Sequence, residues 1–301
     1  MKTKLTLFVT VLAAVLSFGG CGKSGRSQPP KVKTEPSANP TRDALKEGNN
    51  AAAILDTSTL ENGLVAHYKF DGNTHDATGN SNKGEITGAA KTAKDRHGNT
   101  DKSYDFNSGG YVILGNTDGL ALSEFTTSVW FKWRSNHPDH IYRTLLAKGQ
   151  GVYHTHMNYM LLVTDTDQGD ASGKVVAVVG HGDELAEPLR ATNFPSNMSV
   201  ADDNWHHAVF TFSSKNGSGS LHIDGILNIT KNKIPPVFMN KNQDATIGIW
   251  GGFERLSPLF PKNGVNYGIW DGHIDDIRIY NRALSTEEVK ALYNLEKPKG
   301  K

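Results

Sequence analysis

From Gly63 onward this 301-residue chain alternates apolar and polar side chains with a period of two, in short runs separated by glycine-rich turns. A β-strand sends successive side chains to opposite faces, so a run with this period buries one face and wets the other. The clearest run is Phe125–Trp133, with Thr127, Val129, Phe131 and Trp133 on one side and Ser128, Trp130 and Lys132 on the other. Leu64, Ala66, Tyr68 and Phe70 alternate in the same way with Val65, His67, Lys69 and Asp71. Further strands are predicted at Gly84–Thr87, Lys102–Asn107, Tyr111–Leu114, Thr144–Lys148, Asn158–Val163 and Lys174–Gly180. Others are predicted at Trp205–Ser213, Ser220–Asp224, Ile226–Thr230 and Ala245–Ile249, with Asp224-Gly225 as a hairpin signal. Many short strands joined by such turns indicate an all-β sandwich of two antiparallel sheets. A single helix is expected after them. Ser285-Thr286-Glu287-Glu288 is a capping box, Leu284, Val289, Leu292 and Leu295 supply an apolar stripe, and Pro298 stops it.

The last strand, within Gly268–Ala283, carries two adjacent carboxylates. Simple alternation places Asp275, Ile277 and Ile279 on one face and Ile274, Asp276, Arg278 and Tyr280 on the other. Carboxylates are costly to bury unless a cation pairs with them. Far upstream, Phe70–Asn80 supplies Asp71, Asn73, Asp76 and Asn80. Together with Asp275 and Asp276 these form a set of hard oxygen donors that suits Ca²⁺, which takes roughly 6–8 oxygens. The expectation is that the two ends of one domain meet around these six residues and share a structural calcium. The plainer alternative is that Asp71 and Asp76 cap turns while Asp275 or Asp276 pairs with Arg278 or Lys69.

The amino terminus reads as a targeting segment. Lys2 and Lys4 precede an apolar run, Leu5–Phe18, shorter than the about 20 residues a membrane span needs. Phe18-Gly19-Gly20-Cys21 resembles a bacterial lipobox, in which Cys21 carries the lipid; the rival readings are an ordinary cleaved signal and an uncleaved anchor. Residues 1–20 are therefore read as a lipoprotein signal peptide, 21–62 as a flexible linker, 63–296 as the folded domain and 297–301 as a tail. The linker reading rests on Ser27-Gln28-Pro29-Pro30, Pro36, Pro40 and Asn49-Asn50, which bury little apolar area; Ala51–Leu55 is a possible helical turn. Cys21 is the only cysteine, so no disulfide can form within the chain. Loss of Lys2 and Lys4 takes the formal charge from +1 to −1, and no basic patch stands out to attract nucleic acid. Membrane contact is expected through the lipid alone, with the protein exported and anchored to the cell envelope, at the outer membrane in a Gram-negative cell.

Five segments, in order, resemble a known family. Gly63–Gly72 followed by Asp76–Asn80 looks like the opening of bacterial laminin-G-like, concanavalin A-like jelly-roll domains. Phe125–Phe131 resembles their central strand, Asn204–Thr211 and Leu221–Gly225 the next two signatures, and Ile274–Ser285 the last. The resemblance covers Gly63 to about Leu295. It implies a two-sheet antiparallel jelly roll, with Trp205 in the core and often a structural calcium where the first and last strands meet. It does not fix an activity, because the fold hosts lectins, adhesion modules, sialidase accessory domains and some enzymes. The segment Tyr153–Asp170 and the insert Phe253–Tyr267 are longer than such domains ordinarily carry, and both could rim a binding face.

The candidate ligand contacts follow from those two segments. Exposed aromatic rings stack on sugar faces, so Tyr153, Phe253 and Tyr267, with His154, His156 and Arg255, form the expected binding set. Trp250 and Trp270 are expected in the core. His154-Thr155-His156 with Asp165, Asp167 and Asp170 could hold a transition metal, although a solvated loop explains them as well. Trp205-His206-His207 is a poorer metal candidate, because a strand sends its two imidazoles to opposite faces. No nucleophile elbow, zinc-protease helix or phosphate loop occurs in the sequence. Nor is there an alternating Glu/Asp strand of the kind that holds two carboxylates about 5 Å apart in retaining glycosidases. The reading is a non-catalytic module whose partner is a glycan or a cell-surface protein. A polysaccharide hydrolase or lyase and a structural envelope protein are the alternatives; convergence of His154, His156 and Asp183 would favour the enzyme.

Overall fold

The computed structural model describes residues 57–300, apart from 81, 107–108, 115–117, 135–141, 151–155, 165–171, 182–189, 238, 240, 242 and 251–267. Strands are numbered in chain order. One sheet runs β13 (Ile226–Asn232), β12 (Ser218–Ile223), β11 (Trp205–Ser213), β6 (Glu124–Trp133), β15 (Gly272–Tyr280), β4 (Ser103–Asp105), β3 (Lys91–Ala93). Its eighth strand, β1 (Leu64–Tyr68), also pairs with β15. The other sheet runs β10 (Arg190–Ser199), β9 (Lys174–His181), β8 (His156–Thr164), β7 (Tyr142–Gln150), β14 (Ala245–Ile247), β5 (Tyr111–Ile113), β2 (Glu85–Thr87). Every ladder between these strands is antiparallel. The alternation of Phe125–Trp133 holds: Phe125, Val129, Phe131 and Trp133 enter the core between the sheets. The rings of Phe125 and Tyr159, from opposite sheets, lie 4.6 Å apart. Trp250 and Trp270 are buried, as expected of large aromatics.

Helix α1 (Thr286–Glu296) packs on the outer face of the eight-stranded sheet. Both halves of its capping box form: the Ser285 hydroxyl accepts from the Glu288 amide, and the Glu288 carboxylate accepts from the Ser285 amide. Leu284, Val289 and Leu292 join Val209 and Tyr280 in a satellite cluster. Leu60 completes it from a 3-10 turn, Thr57–Glu61, so the packed body begins ahead of Gly63 and the expected linker runs into it. The stripe fails at its last position. Leu295 is 56% exposed, and Glu296 is buried in its place.

Three further departures have local causes. In β15 the register slips by one residue between Asp275, opposite Trp130, and Arg278, opposite Ser128. Asp276 is the extra residue, with φ at 44°. This bulge undoes the simple alternation: Ile274, Ile277 and Ile279 all enter the core, while Asp275, Asp276 and Arg278 share the outer side. A second slip, between Leu64 and Ala66 in β1, turns Leu64 outward to the helix cluster. Strand β10 was not expected because its sequence is polar and holds Pro195. It lies at a sheet edge, where a missing N–H is tolerated. Asp224 and Gly225, at φ 52° and 74°, make the predicted hairpin turn between β12 and β13.

Candidate functional site

The first and last strands do meet. Tyr68 opposes Ile277 and His67 opposes Arg278. On that same edge of β15, β4 pairs with His273 and Ile274, and β1 takes over from Ile277. The bulge at Asp275–Asp276 thus falls in the gap between two partner strands. Into this gap the β3–β4 turn inserts Arg96, whose side chain is 6% exposed. One guanidinium nitrogen lies 2.5 Å from an Asp275 oxygen and another 2.6 Å from an Asp276 oxygen. The third, Nε, donates to the Glu296 carbonyl at 2.8 Å. The guanidinium also sits 5.0 Å from the Trp130 ring centroid.

The cluster continues under the helix. The Trp130 indole N–H donates to the Glu296 carboxylate at 2.8 Å, and Arg278 Nε donates to its other oxygen at 2.7 Å. Trp130 is stacked on His207 at 4.7 Å and on Tyr293 at 5.7 Å. His67 Nε2 contacts the second Asp276 oxygen at 2.6 Å. Burial acts on the two aspartates alike, but their partners differ. Burial pushes Asp275 up to about 8 against the pull of Arg96. Asp276 is held well below the usual carboxylate range, because the His67 hydrogen bond and the Arg96 charge outweigh burial. Burial, with the Asp276 charge, raises Glu296 to about 7. Burial, with the charges of Arg96 and Arg278 adding to it, drives His207 down to about 3, leaving a neutral imidazole beside Ser128 Oγ at 2.7 Å.

The six residues expected to bind calcium do not fit that role as they are placed. Arg96 already occupies the side of Asp275 and Asp276 that a cation would take. Asp76 spends one oxygen on the His67 and Thr78 amides and the Thr78 hydroxyl, and its other oxygen on Asn82. Asn73 closes a turn onto the His75 amide, and Asn80 donates to the Val65 carbonyl. Asp71 pairs with Lys102 at 3.4 Å near the surface. Among the described residues no group of three or more His, Cys, Asp or Glu side chains is placed to hold a metal ion. Neither Arg278 nor Lys69 is the partner of the aspartates; Arg96 is. No local pattern marks it, since it lies 179 residues from Asp275. The one available signal is chemical: two adjacent buried carboxylates need a cation from somewhere in the chain.

Beside the cluster the outer face holds a cavity of about 350 Å³. Arg96, Asp276 and Arg278 form its inner end, and Lys69, Asp71 and Lys102 its more exposed rim.

Tyr153, His154, Phe253, Arg255 and Tyr267 lie outside the described residues, as do Asp165, Asp167, Asp170 and Asp183. His156 opens β8, but its side chain lies outside them too. The strands that bracket these segments are described. Gln150 and His156 pair with one another at one end of the seven-stranded sheet. The chain leaves β14 toward 251–267 at the opposite end, where Gly268 bridges Arg143. The described strand ends that flank the two segments thus lie at opposite ends of one sheet. His206 and His207 do point to opposite faces: His206 lies between Asp202 and Asp224, 2.9 and 2.8 Å away. Burial lowers the His206 pKa, but the hydrogen bonds to Asp224 and Asp202 and the charges of the two carboxylates outweigh it, so the net shift is upward. Trp205 is half-buried at the start of β11, not in the core as the resemblance implied.

Residues 106–290 match the profile of the concanavalin A-like lectin/glucanase superfamily. The chain belongs to that superfamily. Solved structures of the concanavalin A-like fold agree with the two-sheet jelly roll. Domain 4 of AbnA, a GH43 extracellular arabinanase from Geobacillus stearothermophilus solved with arabinotriose, is similar at 22% identity and a TM-score of 0.54, over 76% of this chain and 98% of that one. The binding domain of Paraclostridial Mosquitocidal Protein 1 is similar at 16% identity and a TM-score of 0.56. The ligand-binding domain of botulinum neurotoxin serotype D, solved with N-acetylneuraminic acid, is similar at 14% identity and a TM-score of 0.55. Against these two toxin structures the alignment spans 77% and 80% of this chain and 52% of each of theirs. At these identities the likeness is one of fold. No curated protein sequence matches this concanavalin A-like chain.

Proposed function

We propose that this chain is a non-catalytic glycan-binding module, displayed on a bacterial envelope through a lipidated Cys21. The observation that carries the first part is the whole-domain likeness to domain 4 of the arabinanase: its fold, over nearly all its length, is the fold of this chain, and it was solved with an oligosaccharide bound. The buried ion cluster has a structural role in this reading. Arg96 supplies the charge that calcium was expected to supply. The chain is not read as an enzyme, because the closely placed buried or part-buried acids among the described residues are already held: Asp275, Asp276 and Glu296 by Arg96, Arg278 and Trp130, and Asp105 and Asp271 by Arg134.

The test is a printed array of neutral and acidic oligosaccharides probed with the full chain. Saturable binding to a discrete set of glycans is expected, without new reducing ends in the same oligosaccharides in solution. Steady release of reducing ends would establish the hydrolase instead, and a blank array would remove the glycan reading. For the anchor, Cys21→Ser should move the protein from the membrane pellet to the soluble fraction of an expressing bacterium. Its retention in the pellet would point to an uncleaved anchor. Among the described residues no helix is long and apolar enough to cross a membrane.

A further inference from the structure

We infer that the cavity of about 350 Å³ beside the ion cluster is the sugar subsite, taking a single residue of a glycan chain. This inference rests on the glycan-binding reading above and gives it a place. Small-molecule pockets measure about 300–1,000 Å³ and are mostly apolar. This one falls at the lower end in size and departs in character: among the described residues, Leu64 and Ala77 are the only aliphatic side chains that line it. An apolar ligand gains little there.

The charges of the lining are mixed. Lys69, Lys102 and Arg278 offer donors, and Asp71 and Glu61 offer acceptors. A polyanion would meet the carboxylates and a free cation would meet the amines. A polyhydroxylated ring, whose every hydroxyl both donates and accepts, satisfies both kinds of group. The inner end is rigid, because Arg96 is fixed on three sides by Asp275, Asp276 and the Glu296 carbonyl. The rim has capacity to spare. Lys69 has no hydrogen-bond or ion-pair partner among the described residues, and Asp71 holds only a half-exposed contact with Lys102. Arg278 spends Nε on Glu296, while its Nη1 reaches Glu61 at a loose 3.8 Å.

Backbone strain sets this rim. Phe70 is a bulky, buried residue at φ 54°, a conformation such residues rarely adopt. The kink keeps its ring in the core while Lys69 and Asp71, on either side of it, both line the cavity.

The experiment repeats the glycan array with three groups of variants of the full chain. Lys69→Ala with Asp71→Ala removes a donor and an acceptor from exposed positions, and Ala77→Trp fills the cavity without changing a charge. Tyr153→Ala with Phe253→Ala alters the two loops instead. If the cavity is the subsite, each of the first two falls at least about tenfold in array signal at an unchanged melting temperature, and the loop variant stays within about twofold. If the parent binds and the cavity variants stay within about twofold, the site is elsewhere and only the glycan reading survives. A parent that binds no glycan overturns both. The two cavity variants act by different means, so the misfolding of one leaves the other to decide.

Discussion

Arg96→Ala should lower the stability of the folded body by about 3–5 kcal/mol, because it leaves a buried carboxylate pair without its counter-charge. For a body of this size that is a fall in melting temperature of roughly 6–20 °C. The magnitude follows from placement: the Arg96 side chain is 6% exposed, Asp275 is 2% exposed, and the guanidinium bridges both aspartates while holding the end of the helix. Arg96→Lys should recover only part of the loss, since an ammonium cannot span two carboxylates and a carbonyl in one plane. Adding Asp275→Asn and Asp276→Asn to Arg96→Ala should recover more, because the uncompensated charge goes with them. Excess chelator should leave the parent melting curve where it stands. A chelator-sensitive parent, or an Arg96→Ala protein that melts with the parent, would show that the cation holding the termini together is something other than this side chain.

The second large effect sits at the end of the helix, where neighbouring residues should behave oppositely. Glu296→Ala strands the Arg278 guanidinium and the Trp130 indole N–H under α1 and should cost about 3–5 kcal/mol. Leu295→Ala, one position earlier and mostly exposed, should stay within about 0.5 kcal/mol of the parent. Glu296→Gln should fall between, because one amide oxygen replaces two carboxylate oxygens as acceptor. Urea unfolding midpoints at a common slope measure all three. A Leu295→Ala protein as unstable as Glu296→Ala would mean that the helix docks through its apolar stripe and that the ion cluster is incidental.

That contrast also shows how far the sequence could be read. The stripe at Leu284, Val289 and Leu292 obeys the helical period, and all three residues are buried. Leu295 obeys the same period and is exposed, because the buried position over Trp130 is filled by an acid whose partners lie on three different strands or turns. Periodicity reports which face is inside; it carries no information on which polar residue enters a polar gap. The same limit applies at β15. The sequence Ile274-Asp275-Asp276-Ile277 names the acids but not the bulge, since the slip is imposed by the handover from β4 to β1 on the neighbouring edge. Apart from β3 and β10, the strands, with the hairpin at Asp224-Gly225 and the capping box, were legible because each depends on residues within a few positions of one another. Arg96 was not, because its role exists only once segments 179 residues apart are side by side. The six expected ligand contacts from Tyr153 to Tyr267 lie in segments, or carry side chains, outside the described residues.

The placement of β15 has a consequence for how this body comes into being. It is the last strand of the chain, yet it lies inside its sheet, between β6 on one side and β4 and β1 on the other. Until synthesis passes Tyr280, those three earlier strands have no central neighbour and their backbone edges stay open. Closure of the sheet therefore waits on the longest-range pairing in the chain, the slow kind of step in folding. The side chains that meet at that seam, His67, Arg96 and Asp276, come together only at that final stage.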